Sequence, residues 1–251
     1  MPERLSAVII TRNAAAQLVE CLESVRFADE ILIVDSGSQD ATLDIARRHN
    51  ARVVRQDWLG YGKQKQFAVA QAANDWVLCL DADERVSAPL AHRIQEALRK
   101  PNCFAYDMPR CNRFMGRWLR HGEGYPDPNL RLFHRQHARW SDDPIHEHVV
   151  TTEKVGRLDG DLLHETETTL AEYLEKQNRY TTLQAERLHA AGKRVGAARL
   201  VLSPFARFIK FYFLRRGFLD GVPGLVHIIM GCFNSFMKYA KLMQLSRTNR
   251  I

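Results

Sequence analysis

The sequence predicts an α/β fold with a mainly parallel sheet covered by helices on both faces, followed by a helical extension rich in basic and aromatic residues. Three observations support this prediction. Apolar runs of strand length alternate with helical patterns through the first hundred residues, and one of these runs ends abruptly in acids. The charge is also uneven, because residues 193–251 hold 11 of the 36 Lys and Arg residues and a single acid, Asp220. Such a cationic extension is expected to face an anionic partner.

The composition is that of an ordinary globular protein. The 251 residues are 45% hydrophobic and 26% charged, with a net charge of +7. This length allows one large α/β domain, or a smaller domain of about 150 to 200 residues with an appendage. Five cysteines occur without a C-x-x-C spacing, which indicates reduced, mostly buried thiols. Because no signal peptide precedes the first apolar run, the expected location is the cytoplasm.

The first two strands are predicted at residues 5–11 and 30–35, each followed by a helix. Asn13 is predicted to cap the first helix. Asp35 ends the second strand before a Gly-containing loop, which is where open α/β sheets bind nucleotides. Capping of the loop is an equally acceptable role for Asp35, whereas Asp40 is predicted to be a cap.

A third short strand at residues 52–55 is followed by a segment with two glycines and two lysines, residues 60–66, at the start of a helix. Glycines and a lysine such as Lys63 at a helix start can bind phosphate through backbone N–H groups and charge. The segment lacks the G-K-[ST] of a P-loop and the full G-x-G-x-x-G of a dinucleotide-binding loop, so neither of those sites is predicted.

The central strand, residues 76–80, ends in Asp81, Asp83 and Glu84. Two carboxylates at i and i+2 just beyond a strand can approach one divalent cation, which prefers oxygen ligands that it often shares with a nucleotide's phosphates. The pattern therefore indicates a metal-diphosphate site. The acids could instead begin the next helix, predicted over residues 89–98.

Residues 110–148 combine arginines, aromatic residues, Gly and Pro, which indicates a substrate-binding half with an irregular backbone. An aromatic core under loops is the structural alternative.

At the end of this segment, His146 and His148 alternate with Glu147. A structural zinc site is disfavoured because no further Cys or His cluster has suitable spacing. A histidine that joins Asp83 on a divalent cation is favoured, with Glu147 as a base, for which Asp142 and Asp143 are rivals.

After a long helix predicted over residues 169–190, the extension interleaves aromatics with Arg207, Lys210, Arg215 and Arg216. Residues 221–237 then form 17 residues without Asp, Glu, Lys or Arg, too short a run for a confident membrane span. We expect this segment to lie at an anionic membrane surface. A buried hairpin that extends the core or forms an oligomer interface is the alternative, and the sequence does not indicate an oligomeric state.

Together these residues resemble glycosyltransferase family 2, the inverting GT-A enzymes that use nucleotide-diphosphate sugars. The general family motifs are matched by residues 8–13 (opening strand and loop), 33–40 (nucleoside-binding turn) and 80–83 (D-x-D metal motif). The bacterial lipopolysaccharide inner-core β-glucosyltransferase branch is matched by residues 131–133, 145–147 and 217–221. That branch implies UDP-glucose as the UDP-hexose donor and a heptose on a lipid-anchored core as the acceptor.

The resemblance implies a role for each candidate residue. Asp83 would bind a divalent cation, Mg²⁺ or Mn²⁺, Asp81 would contact the ribose or the metal, and Glu147 would be the base. His146 would contact the metal or the diphosphate. The residues expected to bind the UDP-sugar are Thr11, Asn13, Asp35, Lys63 and Asp81. Two departures weaken the match: Ser36 stands where many members carry a second acid, and the frequent Glu-Asp base motif is missing after residue 100.

The implied organisation is a GT-A domain over residues 1–192 and a membrane-associating extension over residues 193–251. Residues 1–100 would form the nucleotide-sugar half and residues 101–192 the acceptor half. The enzyme would be peripheral on the cytoplasmic face of the bacterial inner membrane and would not bind nucleic acid. A nucleotidyltransferase is the competing enzyme class, although no Gly-rich, basic amino-terminal phosphate loop is present. A non-enzymatic adaptor would leave the Asp81 and Asp83 pair unexplained.

Overall fold

The computed structural model describes residues 2–143, 147–165 and 169–248. The chain forms two compact units. The first comprises Met1–Cys111 and Asp127–Glu165, and the second comprises Asn112–Pro126 and Thr166–Ile251. The boundary predicted at residue 192 lies within the second unit.

The described residues form strands and helices in an alternating order through the first hundred positions. The strands are β1 (Leu5–Thr11), β2 (Glu30–Asp35), β3 (Arg52–Arg55), β4 (Trp76–Asp81), β5 (Glu84–Val86), β6 (Ala105–Phe114), β7 (Arg117–Trp118), β8 (Asp127–His134), β9 (Ala138–Trp140), β10 (Val149–Thr151), β11 (Val155–Arg157) and β12 (Leu162–His164). The α-helices are α1 (Ala15–Ser24), α2 (Thr42–Arg48), α3 (Tyr61–Gln71), α4 (Ala88–Arg99), α5 (Leu170–Ala190), α6 (Ala197–Phe208) and α7 (Gly221–Thr248).

The main sheet has the strand order β3-β2-β1-β4-β8-β6-β12-β5. Strands β3, β2, β1 and β4 are parallel, as the alternating strand and helix pattern predicts. β8 pairs antiparallel with β4 and with β6, while β11 pairs parallel with β6. The prediction of irregular backbone over residues 110–148 was therefore wrong in part. Pairing within the main sheet orders β8 and the end of β6, and β9 pairs with β10 in a separate two-stranded sheet.

Helices cover both faces of the sheet in the first unit. Alternate side chains of β1 point to opposite faces, so Ala7 and Ile9 belong to one buried cluster and Val8 and Ile10 to the other. The first cluster includes residues of α1, α2 and α4, and the second includes residues of α3 and the strand β9. The predicted α/β fold with a mainly parallel, two-sided sheet is thus confirmed.

The parallel strands bring the predicted site residues to one edge of the sheet. In the register of β1, Thr11 lies beside Asp35 of β2, and Ile10 lies beside Asp81 of β4. The carboxyl ends of three neighbouring strands therefore meet where the polar residues begin. This arrangement follows from the parallel pairing, since the same chemical end of every strand lies at the same edge.

The second unit is mainly helical. Thr169, the first residue of the predicted helix, is the N-cap of α5 and forms a capping box with Glu172. A π-helical turn over Ile209–Leu214 continues α6, and a 3₁₀ helix over Gly217–Asp220 precedes α7. Within the described part of the chain, Gly217–Ser246 is a helical segment of 30 residues, and an 18-residue stretch of it has a mean hydropathy of 1.2. By length and composition alone, this segment could cross a membrane. The helical segment is longer than the run of 17 residues over 221–237, which was judged too short for a confident span.

Candidate functional site

The loop after β2 is organised by the carboxylate of Asp35. This side chain is buried and accepts hydrogen bonds from Thr11 Oγ1 at 2.9 Å, from the hydroxyl of Ser38, and from the backbone N–H groups of Gly37 and Ser38 at 2.9 Å each. A carboxylate offers about four acceptor positions, and all are used here. Asp35 therefore orders the loop, and a nucleoside would contact this carboxylate only by replacing one of these partners.

Asn13 does not cap α1, contrary to the prediction. The N-cap position is Ala14, which makes no side-chain cap hydrogen bond. Asn13 instead adopts a left-handed backbone with φ of 50° and accepts a bond from Gln39 N–H at 2.8 Å. Asp40 accepts bonds from the backbone N–H groups of Thr42 and Ala15, near the beginnings of two helices, which agrees with a capping role. Asn13 thus ties the loops after β1 and β2 together.

Two buried cations hold the carboxylate of Asp81 at the end of β4. Lys65 Nζ lies 3.0 Å from Asp81 Oδ1, and Arg131 Nη2 lies 3.1 Å from Asp81 Oδ2. Burial alone would raise the pKa of Asp81, but Lys65 and Arg131 outweigh it and hold that pKa well below its usual range. Asp81 is therefore ionised and committed to two protein cations.

Glu84 is a structural anchor for the acidic turn. Its side chain is fully buried, receives Arg131 Nη2 at 2.7 Å and accepts a bond from the backbone N–H of Asp81 at 3.0 Å. Burial lowers the pKa of Arg131, but Glu84 and Asp81 outweigh burial and hold that pKa above its usual value. The turn from Asp81 to Glu84 is thus closed around a buried guanidinium group.

We predict that Arg131→Met will strongly destabilise the protein. Removing Arg131 leaves the buried Glu84 carboxylate with only the more distant Arg110, whose Nη1 lies 3.7 Å from Glu84 Oε1. Loss of one partner of a buried ion pair typically costs about 3–5 kcal/mol. Urea unfolding at neutral pH measures the change. The matched control is Arg139→Met, because Arg139 is 63% exposed and pairs with Asp142 at 3.6 Å. An exposed pair contributes about 1 kcal/mol or less. Equal losses in the two variants would contradict the anchoring role.

Asp83 differs from Asp81 because its carboxylate meets a histidine. Asp83 Oδ2 lies 3.3 Å from His164 Nε2, and their side chains are 24% and 20% exposed. β12 brings His164 to this position by pairing antiparallel with β5, where His164 lies opposite Glu84. His164 was not among the residues predicted from the sequence to form the site. Its only sequence indication was a histidine that ends an apolar run at residues 162–164.

The donor atoms of Asp83 and His164 suit a divalent cation of the Mn²⁺ type, which accepts both carboxylate oxygen and imidazole nitrogen. Among the described residues, no group of three or more His, Cys, Asp and Glu side chains could hold a metal ion. A cation held by Asp83 and His164 would need its remaining ligands from a bound diphosphate and water. His146, the predicted histidine ligand, lies outside the described residues.

Glu147 is linked to the acidic turn by Lys65. Lys65 Nζ lies 3.4 Å from Glu147 Oε1, and the Glu147 side chain is 21% exposed. The same ammonium group lies 4.8 Å from the centroid of the Trp140 ring. The structure therefore brings Glu147 and Asp81 together on one cation, and the partial exposure of Glu147 leaves its carboxylate accessible to a substrate.

Lys65, two residues after the predicted phosphate-binding Lys63, is the lysine that contacts the acids. Lys63 is exposed on α3, whereas Lys65 is buried against the acids. α3 approaches the segment before Glu147 closely, since a Cβ at Gly62 would lie 2.5 Å from the carbonyl oxygen of Ser141. Glycine at position 62 thus allows the contact that places Lys65 beside Glu147.

The cysteines are not part of this chemistry. Cys79 lies behind the acidic turn, where burial raises the pKa of its thiol to about 12, and it accepts a bond from Trp140 Nε1 at 3.4 Å. Burial, followed by the charges of Glu84 and Asp83, raises the pKa of the Cys21 thiol as well. Thiols with raised pKa values are poor nucleophiles and poor metal ligands.

Comparisons with known proteins give related sequences and a shared fold. Residues 6–152 match the sequence profile of Glycosyl transferase family 2. The lipopolysaccharide core biosynthesis glycosyltransferase LpsC of Rhizobium meliloti is 33% identical over 253 residues, which cover 96% of this chain and 92% of LpsC. An uncharacterized glycosyltransferase of Rickettsia typhi is 31% identical over 261 residues, covering 99% and 89% of the two chains.

Two solved structures share the fold. A mannosyltransferase from Pyrobaculum calidifontis, in complex with GDP-Man and Mn²⁺, has a TM-score of 0.53 at 15% identity and covers 99% of this chain and 87% of its own. Mannosyl-3-phosphoglycerate synthase from Rubrobacter xylanophilus has a TM-score of 0.51 at 18% identity, covering 78% and 77%. At these identities the likeness concerns the fold alone.

Proposed function

The chain belongs to glycosyltransferase family 2, and we propose that it is an inverting, metal-dependent enzyme that transfers glucose from UDP-glucose to a heptose of the lipopolysaccharide inner core. Its fold is the predicted GT-A fold. The observation that carries the proposal is the acidic centre at the end of β4, where Glu147 and Asp81 share Lys65 and Asp83 meets His164. Similarity to LpsC supports the lipopolysaccharide acceptor. Membership of this family also favours glycosyl transfer over nucleotidyl transfer.

Glu147 is the proposed general base. Its carboxylate takes the proton of the acceptor hydroxyl while the hydroxyl oxygen attacks the anomeric carbon of the sugar, and the bond from that carbon to the diphosphate breaks. One such displacement inverts the configuration, and UDP leaves with the bonding electrons. A positioned base typically contributes about 10²–10⁴-fold to the rate. Lys65 holds Glu147 by its 3.4 Å contact and thereby orients the carboxylate.

Asp83 and His164 are the proposed protein ligands of the divalent cation, with His146 as a further candidate. When bound, the cation neutralises the negative charge that grows on the departing diphosphate. Asp81 is not required as a metal ligand in this scheme, because Lys65 and Arg131 already occupy its carboxylate. Its role is to hold these two cations at the edge of the donor site. The proposed nucleoside site is the loop organised by Asp35, Thr11 and Asn13.

A lipid-anchored acceptor would require the enzyme to act at a membrane surface. We propose peripheral association with the cytoplasmic face of the inner membrane through the cationic second unit. Arg207 was expected to take part, but it donates to Glu123 Oε2 through Nε at 2.9 Å. The exposed cations that remain near it are Lys210, Arg215 and Arg216.

The function is tested with the purified full chain, UDP-sugars and defined lipopolysaccharide acceptors that end in heptose. We expect turnover with UDP-glucose in the presence of Mn²⁺ or Mg²⁺ and none after chelation. UDP with Mn²⁺ should also raise the melting temperature more than either alone, because a ligand that binds the native state stabilises it. Turnover with a different nucleotide-sugar, or undiminished turnover after chelation, would contradict the donor or the metal dependence respectively.

A further inference from the structure

The second unit exposes a regular set of large apolar side chains on two helices. Leu202 and Phe205 of α6, with Ile209 directly after it, are 62%, 63% and 36% exposed. On α7, Ile229, Phe233 and Phe236 are 49%, 50% and 37% exposed. The spacings of three and four residues place each set of three on one face of its helix. We call these six side chains the apolar face.

The two helices run antiparallel, and their contacts give the register. Ser203 Oγ lies 2.9 Å from Ser235 Oγ, and the guanidinium carbon of Arg199 lies 5.4 Å from the centroid of the Tyr239 ring. Between these two contacts, α6 moves four residues toward its N-terminus while α7 moves four residues toward its C-terminus. In the same register, Leu202 is level with Phe236, Phe205 with Phe233, and Ile209 with Ile229.

Both halves of the apolar face point away from the same partly buried acid, Glu123. Arg207 of α6 donates to Glu123 Oε2, and a Cβ at Gly231 of α7 would lie 2.4 Å from that oxygen. Residues two positions apart on an α-helix point about 200° apart. Phe205 and Ile209 therefore point away from the Arg207 side, and likewise Ile229 and Phe233 point away from the Gly231 side. The six side chains form one surface on the side of the helix pair remote from Glu123.

Charge decides what covers this surface. Residues 193–251 contain 11 Lys and Arg residues and one acid, Asp220. Asp220 is buried and accepts bonds from the backbone N–H groups of Arg120 and His121. Two copies of the chain meeting through this surface would bring like charges together. An anionic lipid surface instead offers apolar chains to the six side chains and negative headgroups to Lys210, Arg215 and Arg216, which are all exposed.

The contacts of Glu123 also decide how α7 lies. Gly217–Ser246 is long and apolar enough to span a membrane. A spanning helix would carry the ion pair of Glu123 and Arg207 into the hydrocarbon, where charged groups are costly. That pair packs against the middle of α7 at Gly231. A helix with one side held by charged protein groups and the other side apolar is suited to the membrane interface.

We propose that the apolar face inserts into the cytoplasmic leaflet of an anionic membrane, with α6 and α7 lying in the plane of the interface and α7 not spanning it. This inference deepens the proposed function and rests on it for the lipid-anchored acceptor. It assigns the surface through which the enzyme would reach that acceptor. The polar side of the helix pair stays on the protein.

The test compares full-length variants on vesicles. Phe205→Gln with Phe233→Gln removes the centre of the apolar face, and Leu170→Gln with Leu174→Gln on α5 is the matched control, since these leucines are 45% and 38% exposed. Binding to phosphatidylglycerol-containing vesicles should fall at least about tenfold in the phenylalanine variant and less than about twofold in the control. A triple variant should bind anionic vesicles more weakly than the wild type, and this difference should shrink as the salt concentration rises. Its substitutions are Lys210→Gln, Arg215→Gln and Arg216→Gln. Circular dichroism confirms that each variant folds.

Three results would overturn the proposal: unchanged vesicle binding by the phenylalanine variant, resistance of the wild-type protein to extraction from membranes by alkaline carbonate, or a dimer that the phenylalanine variant dissociates. Extraction of the wild type by alkaline carbonate supports an interfacial helix rather than a spanning one. Turnover of a soluble acceptor fragment should be unchanged in the phenylalanine variant. If the wild type binds anionic vesicles but lacks turnover with any heptose acceptor, the proposed function fails while the lipid-facing surface stands.

Discussion

Replacing Asp83 with asparagine is expected to abolish turnover and the metal-dependent part of UDP binding while leaving the fold intact. The Asp83 carboxylate faces His164 at 3.3 Å, where the two side chains offer an oxygen and a nitrogen to a cation. An amide has the size of the carboxylate but carries no negative charge. A Lewis-acidic metal contributes several kcal/mol to the reaction, so we expect a loss in kcat of about 10³-fold or more. Turnover assays with saturating Mn²⁺ or Mg²⁺, and UDP titration calorimetry with and without the metal, measure the two effects.

Two further variants make this experiment specific. Asp44→Asn changes an aspartate that is 73% exposed and pairs with Arg47, so it should leave activity and metal dependence unchanged. Asp81→Asn should lower stability as well as activity, because Lys65 and Arg131 would lose their shared partner. Near-normal activity of Asp83→Asn at saturating metal would show that Asp83 is not a ligand.

Glu147→Gln is expected to lower kcat by at least about 10²-fold while donor affinity persists. Glutamine keeps the size and hydrogen-bonding capacity of the side chain but cannot accept the proton. The carboxylate lies beside Lys65 and is partly exposed, as a group that receives a substrate proton must be. Single-turnover kinetics with saturating donor measures the chemical step, and UDP binding with Mn²⁺ reports donor affinity.

The rival bases provide the comparison. Asp142 is 76% exposed and pairs with Arg139, which is 63% exposed, and Asp143 is also exposed. Glu147, in contrast, is only 21% exposed and contacts the buried Lys65. Asp142→Asn and Asp143→Asn are expected to retain most of the wild-type kcat. A large fall in kcat with unchanged donor affinity in either variant, but not in Glu147→Gln, would transfer the role of base to that aspartate.

The sequence by itself determined the parallel half of the sheet and the place of the site. The strands β1, β2 and β4 are continuous apolar runs, because strands covered on both faces must bury every side chain. Polar residues can begin only where such a run leaves the core, so Asp35 and Asp81 were identifiable as residues at the strand ends. The family resemblance rests on these same segments, which are short and continuous in sequence.

Only the tertiary structure decided which side chains share a contact. Lys63 and Lys65 lie two residues apart on α3, and packing against β9 and the Ser141 segment buries Lys65 while Lys63 stays in solvent. His164 follows Asp83 by more than eighty residues and reaches it through the antiparallel pairing of β12 with β5. Arg207 was predicted from the sequence to face lipid, but in the structure it donates a hydrogen bond to Glu123. Periodicity predicts which face of an element is buried, but the partner on that face depends on long-range packing, which a local pattern does not contain.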